Sequence, residues 1–297
     1  MNFADRLAAA IEGKRSHVVV GLDPDYASLP AEIQSRTGPQ PDVADMAGAY
    51  QDFLEGLLQD LSEVAVAVKI QVAFFEALGA VGYQLYLGLV ARARALGYVV
   101  IADAKRGDIG NTSEAYAKAH LDVAGADAMT VNAYFGSDGM EPFLRRAREE
   151  GKGLFVLVKT SNPGSQELQD LVLADGRPVY RAMASLVEGW GVAARGESGL
   201  SAVGAVVGGT HPAQARELRA ALPSTPFLIP GYGSQGATAG DMVGLFGPEG
   251  VSAVVNSARA ILYAYKKRPL PWREAARREA EEMRDALWQV ARRGGAV

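Results

Sequence analysis

The chain has no cysteine. That excludes a disulfide framework, thiolate chemistry and a cysteine-ligated metal. Histidine is nearly as scarce: only His17, His120 and His211 occur, far apart in sequence. His17 opens an apolar run and His120 lies within a helical pattern, so structural roles suit them better than metal ligation. A basic excess is also lacking. Thirty Lys and Arg face 34 Asp and Glu, for a formal charge of −4, which argues against a nucleic-acid partner but leaves room for a small anion held by a local cluster. No uninterrupted apolar run approaches the ~20 residues needed to span a bilayer. Met1–Glu12 lacks the basic segment and apolar core of a secretory signal, so a cytoplasmic location is expected. With no repeat period and no low-complexity linker, a single domain over 1–297 is expected.

What the chain does have is apolar residues, 48% of the total, and 34 glycines. Eight strand-like runs stand out: His17–Leu22, Val64–Ile70, Tyr98–Asp103, Ala128–Asn132, Leu154–Lys159, Ala202–Val207, Pro226–Ile229 and Val251–Asn256. Stretches of helical period lie between them, among them Ala49–Leu61, Tyr83–Leu96, Ser113–Val123 and Pro212–Ala221. Such alternation predicts an α/β fold of parallel βαβ units, and eight of them close naturally into a (β/α)8 barrel. A doubly wound open sheet is the alternative. Phe3, Leu7 and Ile11 give one face of an N-terminal helix. Trp272, Ala276, Ala280, Met283, Leu287 and Val290 give one face of a C-terminal helix that docks on the barrel or, alternatively, on a second copy. Two long connections, Pro24–Asp45 and Ser165–Val179, interrupt the alternation as candidate lids or inert decoration. Within the second, Asp175-Gly176-Arg177-Pro178 reads as a turn.

Barrel enzymes carry their chemistry at the C-terminal ends of strands. The strand ends here supply Asp23, Lys69, Asp103 with Lys105, Lys159-Thr160-Ser161, Gly231-Tyr232-Gly233-Ser234-Gln235-Gly236 and Ser257-Ala258-Arg259. Alternation along a strand points Asp103 and Lys105 the same way, and Gly107 ends the strand with Asp108 on the outgoing loop. Ionised groups at the mouth of a buried strand are costly unless paired, so the bland alternative is a structural ion pair. Asp23 could likewise cap a turn, and Lys69 could snorkel to the surface. Lys105 lies between two carboxylates, Asp103 and Asp108, which favour its ammonium form. That suits a proton donor and electrostatic stabiliser rather than a Schiff-base nucleophile. The glycines Gly231, Gly233 and Gly236 follow the seventh strand, and no acidic residue ends the next one. A phosphate cradle of freed backbone amides, Gln235 and Arg259 therefore fits better than a dinucleotide fingerprint. Alternatively the glycines only turn the chain and Arg259 is a surface charge.

The run Asp103-Ala104-Lys105-Arg106-Gly107-Asp108-Ile109-Gly110-Asn111-Thr112 resembles the catalytic segment of the orotidine 5′-phosphate decarboxylase family, most closely its longer bacterial branch. The resemblance extends to Val68-Lys69-Ile70-Gln71-Val72-Ala73-Phe74-Phe75-Glu76, Ser161–Gly164, Pro230–Gly236 and Asn256–Ile261, and so spans essentially the whole chain. It implies a metal-free, cofactor-free decarboxylation of orotidine 5′-monophosphate to uridine 5′-monophosphate, the last step of de novo pyrimidine synthesis. Lys105 would protonate C6 within a Lys69–Asp103–Lys105–Asp108 charge array. Asp23 and Lys69 match positions that contact the ribose hydroxyls. Ser161 matches a contact to the pyrimidine, with Thr160 beside it as the alternative, while Gly231, Gly233, Gln235 and Arg259 belong to the phosphate grip. Asp108 and Thr112 match positions that reach into a neighbouring subunit's site, which implies a homodimer. Two rivals remain at this point: a magnesium-dependent barrel enzyme acting on sugar phosphates, and a non-catalytic nucleotide-binding barrel.

Overall fold

The computed structural model describes residues 1–293. Eight parallel strands close into one barrel in chain order: β1 Val18–Leu22, β2 Ala67–Gln71, β3 Val99–Arg106, β4 Ala128–Val131, β5 Gly153–Lys159, β6 Val203–Val207, β7 Phe227–Ile229 and β8 Ala253–Ser257. Closure is made by β1 against β8, with Val18 opposite Val255 and Val20 opposite Ser257. The open-sheet alternative is thereby excluded. Each strand lies within or overlaps one of the apolar runs, because residues buried on both faces of a parallel sheet read as continuous hydrophobic stretches. Boundaries moved where local hydrogen bonds took precedence. Val64 and Ala65 do not join β2; both amides bond back to Leu61 O in the turn that ends the preceding helix.

The connection Pro24–Asp45 is not bare loop. It holds a short helix, Ala31–Gln34, and its end starts the next long helix, Val43–Leu61, six residues before the expected Ala49. The cause is a capping box. Asp42 accepts from the amides of Ala44 and Asp45, and the Asp45 carboxylate accepts from the Asp42 amide. The segment Ser113–Val123 forms the end of helix Gly110–Ala117 and then a π-helical turn over Lys118–Val123.

The base of the barrel, where the strands begin, is closed by the helix Phe3–Lys14. The Phe3 ring fills the space above Gly153, where even a Cβ would lie 2.3 Å from it. Its neighbour Arg6 donates to Gly151 O and to Asp127. The C-terminal helix Trp272–Arg293 packs alongside: Trp272 meets Phe53 in a tilted contact with centroids 5.0 Å apart, and Trp288 lies 5.7 Å from His17. The cleft of the barrel lies at the opposite, C-terminal rim. Among the described residues, no helix is long and apolar enough to cross a membrane.

Candidate active site

The rim surrounds a cleft of about 380 Å³. Its floor is apolar, from Leu157, Val206 and Leu228, and its wall is polar, from Asp23, Lys69, Gln71, Asp103, Lys105, Thr130 and Asn256. Asp103 sits at the centre. One carboxylate oxygen accepts from the Lys69 ammonium at 2.5 Å and the Gln71 amide at 3.0 Å; the other accepts from Lys105 Nζ at 2.6 Å and the Thr130 hydroxyl at 2.9 Å. Four donors fill the acceptor capacity of a carboxylate, so Asp103 has no freedom to reorient. Burial alone would push its carboxyl group up, but the two ammonium groups outweigh burial and hold it well below the usual carboxylate range. Burial likewise works against the Lys69 charge, and Asp103 with Asp23 reverses that and holds the ammonium above its ordinary value. Asp23 stands 3.7 Å from Lys69 Nζ, a charge contact rather than a hydrogen bond.

Asp103 and Lys105 do meet, but not by simple strand alternation. Lys105 has φ +50°, and the β3–β4 register shifts between Ala102 and Arg106. The strand carries a bulge at the lysine, and a non-glycine residue in the left-handed region costs about 1–3 kcal/mol. The bulge re-aims the side chain into the cleft. Unlike Lys69 and Asp103, Lys105 keeps 44% of its side-chain surface exposed, so its ammonium is the member of the array that faces an incoming molecule.

Asp108 departs from the expected array. It does not lie against Lys105 in its own chain: its carboxylate accepts from the Ile109 amide at 2.8 Å, and it does not line the cleft. Gly107 explains the departure. A Cβ there would lie 2.1 Å from Asn132 O, so the chain passes tightly over the end of β4 and carries Asp108 and the exposed Thr112 outward. Lys159 is also withdrawn from the cleft. It is fully buried and pins the long loop after β5 through Asp170 at 2.7 Å and Ser165 at 3.3 Å. Beside it, Thr160 is held at both its amide and its hydroxyl by Gln169. The Ser161 hydroxyl has no partner among the described residues and lines the cleft.

At the far side, Gly231, Gly233 and Gly236 take φ of +105°, +74° and +94°. The expected cradle is only partly available, because the amides of Gly233, Ser234 and Gly236 bond to carbonyls within the loop itself. The amides of Gly231, Tyr232 and Gln235 have no acceptor among the described residues, and the Gln235 side chain lines the cleft. Arg259 is exposed just past β8, in no ion pair among those residues. Three polar residues of the cleft wall lie outside the set expected from the sequence: Gln71, Thr130 and Asn256. Each is a polar side chain at or near the C-terminal end of an apolar strand, and that was the available signal. Asn256 Oδ1 and the neighbouring Asp23 Oδ1 are buried without a hydrogen-bond partner, so this corner of the cleft is set to receive donors such as hydroxyl groups.

Chemically, a buried carboxylate flanked by two ammonium groups, one of them facing the cleft, disfavours a second anion beside Asp103 and favours negative charge developing near Lys105. The family model described as "Orotidine 5'-phosphate decarboxylase / HUMPS family" matches residues 16–269. Similar proteins include an orotidine 5′-phosphate decarboxylase of Rhodopirellula baltica, 38% identical over 97% of this chain and 99% of the relative. One of Roseiflexus castenholzii is 41% identical over 97% of each. Among solved structures, Leishmania donovani OMP decarboxylase superposes with a TM-score of 0.77 at 33% identity, covering 97% of this chain and 99% of the other.

Proposed function

The chain belongs to the orotidine 5′-phosphate decarboxylase / HUMPS family, and from that premise we infer that it converts orotidine 5′-monophosphate to uridine 5′-monophosphate, the closing step of pyrimidine nucleotide synthesis. The observation that carries the mechanism is the Lys69–Asp103–Lys105 array in the wall of the cleft. The C6–carboxylate bond breaks, carbon dioxide leaves, and the bonding electron pair remains on C6. Lys105 Nζ stabilises that charge and gives C6 a proton, which solvent then restores to the lysine. Repulsion between Asp103 and the substrate carboxylate contributes about 4 kcal/mol at ~4 Å and an effective dielectric of ~20. Enzymes lower barriers by roughly 8–23 kcal/mol, so stabilisation of the developing charge by a pre-oriented ammonium must supply the larger share.

The remaining roles follow the cleft. Asp23 and Lys69 take the ribose hydroxyls, beside the unpartnered oxygen of Asn256. Ser161, rather than the occupied Thr160, takes the pyrimidine. Gln235, the free loop amides beginning at Gly231, and Arg259 take the phosphate, while Gly233 shapes the loop. Binding energy from the phosphate, remote from C6, serves to close the site and expel water.

Asp108 and Thr112 are assigned to the site of a second subunit. Asp108 does not line its own cleft, and the surface around its loop is apolar and exposed: Ile109 at 56%, Tyr134 at 80% and Phe135 at 49%. Such a cluster is suited to burial against another copy of the chain.

The test is to follow the loss of orotidine 5′-monophosphate absorbance with purified protein in excess chelator. Full turnover is expected. Absence of turnover with and without metal would sink the assignment and leave the sugar-phosphate and non-catalytic readings, and activity only without chelator would overturn the metal-free mechanism.

A further inference from the structure

Thr130 lies on β4, 1% exposed, and has no part in the roles above. Its hydroxyl serves two partners at once. It donates to Asp103 Oδ1 at 2.9 Å and accepts from the main-chain N–H of Lys105 at 3.0 Å. The polarity is unambiguous, because an amide can only donate and an ionised carboxylate can only accept. Lys105 Nζ closes the circuit on the same Asp103 oxygen at 2.6 Å.

The circuit sits where the backbone most needs support. Arg15, at a helix C-terminus, and Lys105 are the only non-glycine residues with positive φ among the described residues. A left-handed lysine inside a strand persists only when its surroundings hold it there. The β3–β4 register shifts over this stretch, and the Thr130 side chain supplies an acceptor to the displaced Lys105 amide. We propose that Thr130 is a positioning residue for decarboxylation: one hydroxyl fixes both the main chain of the proton donor and the carboxylate that orients its ammonium. The inference rests on the decarboxylase reading and on Lys105 as the proton donor.

Thr130→Val keeps the shape and removes the hydroxyl. Without it the lysine backbone is free to relax toward ordinary strand geometry and carry Nζ away from the reacting carbon. Misplacement by an ångström costs about 100-fold in rate, so kcat should fall by about that factor. KM should change by less than about threefold, since the phosphate and ribose contacts come from other strands. Thr130→Ser restores the hydroxyl and loses only the methyl group, and should return kcat to within about threefold of wild type. A residue that merely packs would show the opposite order, with Ser worse than Val.

The inference is overturned by a folded Thr130→Val with near-wild-type kcat, by a loss confined to KM, or by Ser falling as far as Val. If Val does not fold, Thr130→Ala is measured in the same way; if neither folds, the Ser variant decides, and a tenfold loss of kcat in it ends the proposal. Wild-type protein in the same assay separates the two levels. No wild-type turnover removes the decarboxylase reading and this inference with it, whereas wild-type turnover with an indifferent Thr130→Val removes this inference alone.

Discussion

The two ends of the barrel both bury polar side chains, and they solve the problem differently. At the rim, Lys69 and Asp103 are buried as full charges, paired with each other and supplied with further donors. At the base, His17 is buried in its neutral form, Nδ1 lying 2.9 Å from Ala253 O, and burial pushes its pKa down to about 4. Arg219, also near the base, has no carboxylate partner among the described residues; main-chain carbonyls of Leu222, Thr225, Leu245 and Ser252 surround it, over the face of Phe227. Burying a charge pair is often no more stabilising than an apolar pair of the same shape, so stability alone does not call for the rim arrangement. Chemistry does, because only fixed charges can act on a reacting centre without first reorganising. Substitutions at the rim should therefore register in turnover, and changes at the base in stability.

The largest effect tests the rim directly. Lys105→Ala should lower kcat by more than about a thousandfold, about 4 kcal/mol, while the melting temperature stays near wild type because the lysine is half exposed. Retention of more than about a tenth of the activity, under ~1.4 kcal/mol, would remove Lys105 from its assigned role. Asp103→Asn would blur the comparison, since it leaves the buried Lys69 ammonium with only the more distant Asp23 carboxylate at 3.7 Å and should also destabilise the fold.

The second test asks whether the rim of one subunit is complete by itself. Asp108→Asn and Lys105→Ala should each be nearly inactive alone. Mixed with full subunit exchange, about half of the dimers pair the two variants, and each has one site with both wild-type groups, so about a quarter of wild-type activity should return. Verified heterodimers that stay inactive would mean that Asp108 serves its own chain.

A smaller effect belongs to the outer rim. Arg259→Ala should weaken nucleotide binding by roughly 1.5–3 kcal/mol, the range for a hydrogen bond to a charged group. Affinity for the nucleoside without phosphate should hardly change. Equal losses for both would make Arg259 a support of the fold rather than a phosphate ligand.

The same contrast separates what was legible in the sequence from what was not. Strand positions could be read because runs such as Val18–Leu22 and Val203–Val207 are buried along their whole length. Lys69, Asp103 and Lys105 could be found because charges at the ends of apolar strands are conspicuous. The bulge at Lys105 could not be found, since it depends on how β3 meets β4, a contact between residues 25 apart such as Lys105 and Thr130. Thr130 itself looks like an ordinary strand residue until its two partners are seen. The capping box of Asp42 and Asp45 was visible in principle but hidden behind a proline-rich connection. The loop after β7 showed its glycines, not the internal bonds of Gly233, Ser234 and Gly236, because a one-dimensional pattern does not say which amides a turn consumes.

The smallest effect belongs to the neutral burials. His17 beneath the barrel and His120, which contacts Tyr86 at 3.2 Å, are both pushed by burial from 6.5 to about 4. The unfolded chain takes up these protons near pH 6.5, whereas the folded chain resists until about pH 4, so stability must fall as pH drops through that window. From pH 7.5 to 5.5 each histidine should cost about 1.3 kcal/mol, on the order of 2.5 kcal/mol together. Asp103 contributes in the same direction but at lower pH. Its depressed carboxyl group is stabilising throughout this range, and the contribution is lost only below its unfolded value of 3.8. Urea unfolding at the two pH values measures the difference, and His17→Asn or His120→Asn, which cannot titrate, should each remove about half of it. An unchanged pH dependence in the double variant would mean that the loss arises elsewhere, and the contrast between a charged rim and neutral interior sites would then no longer account for the protein's acid sensitivity.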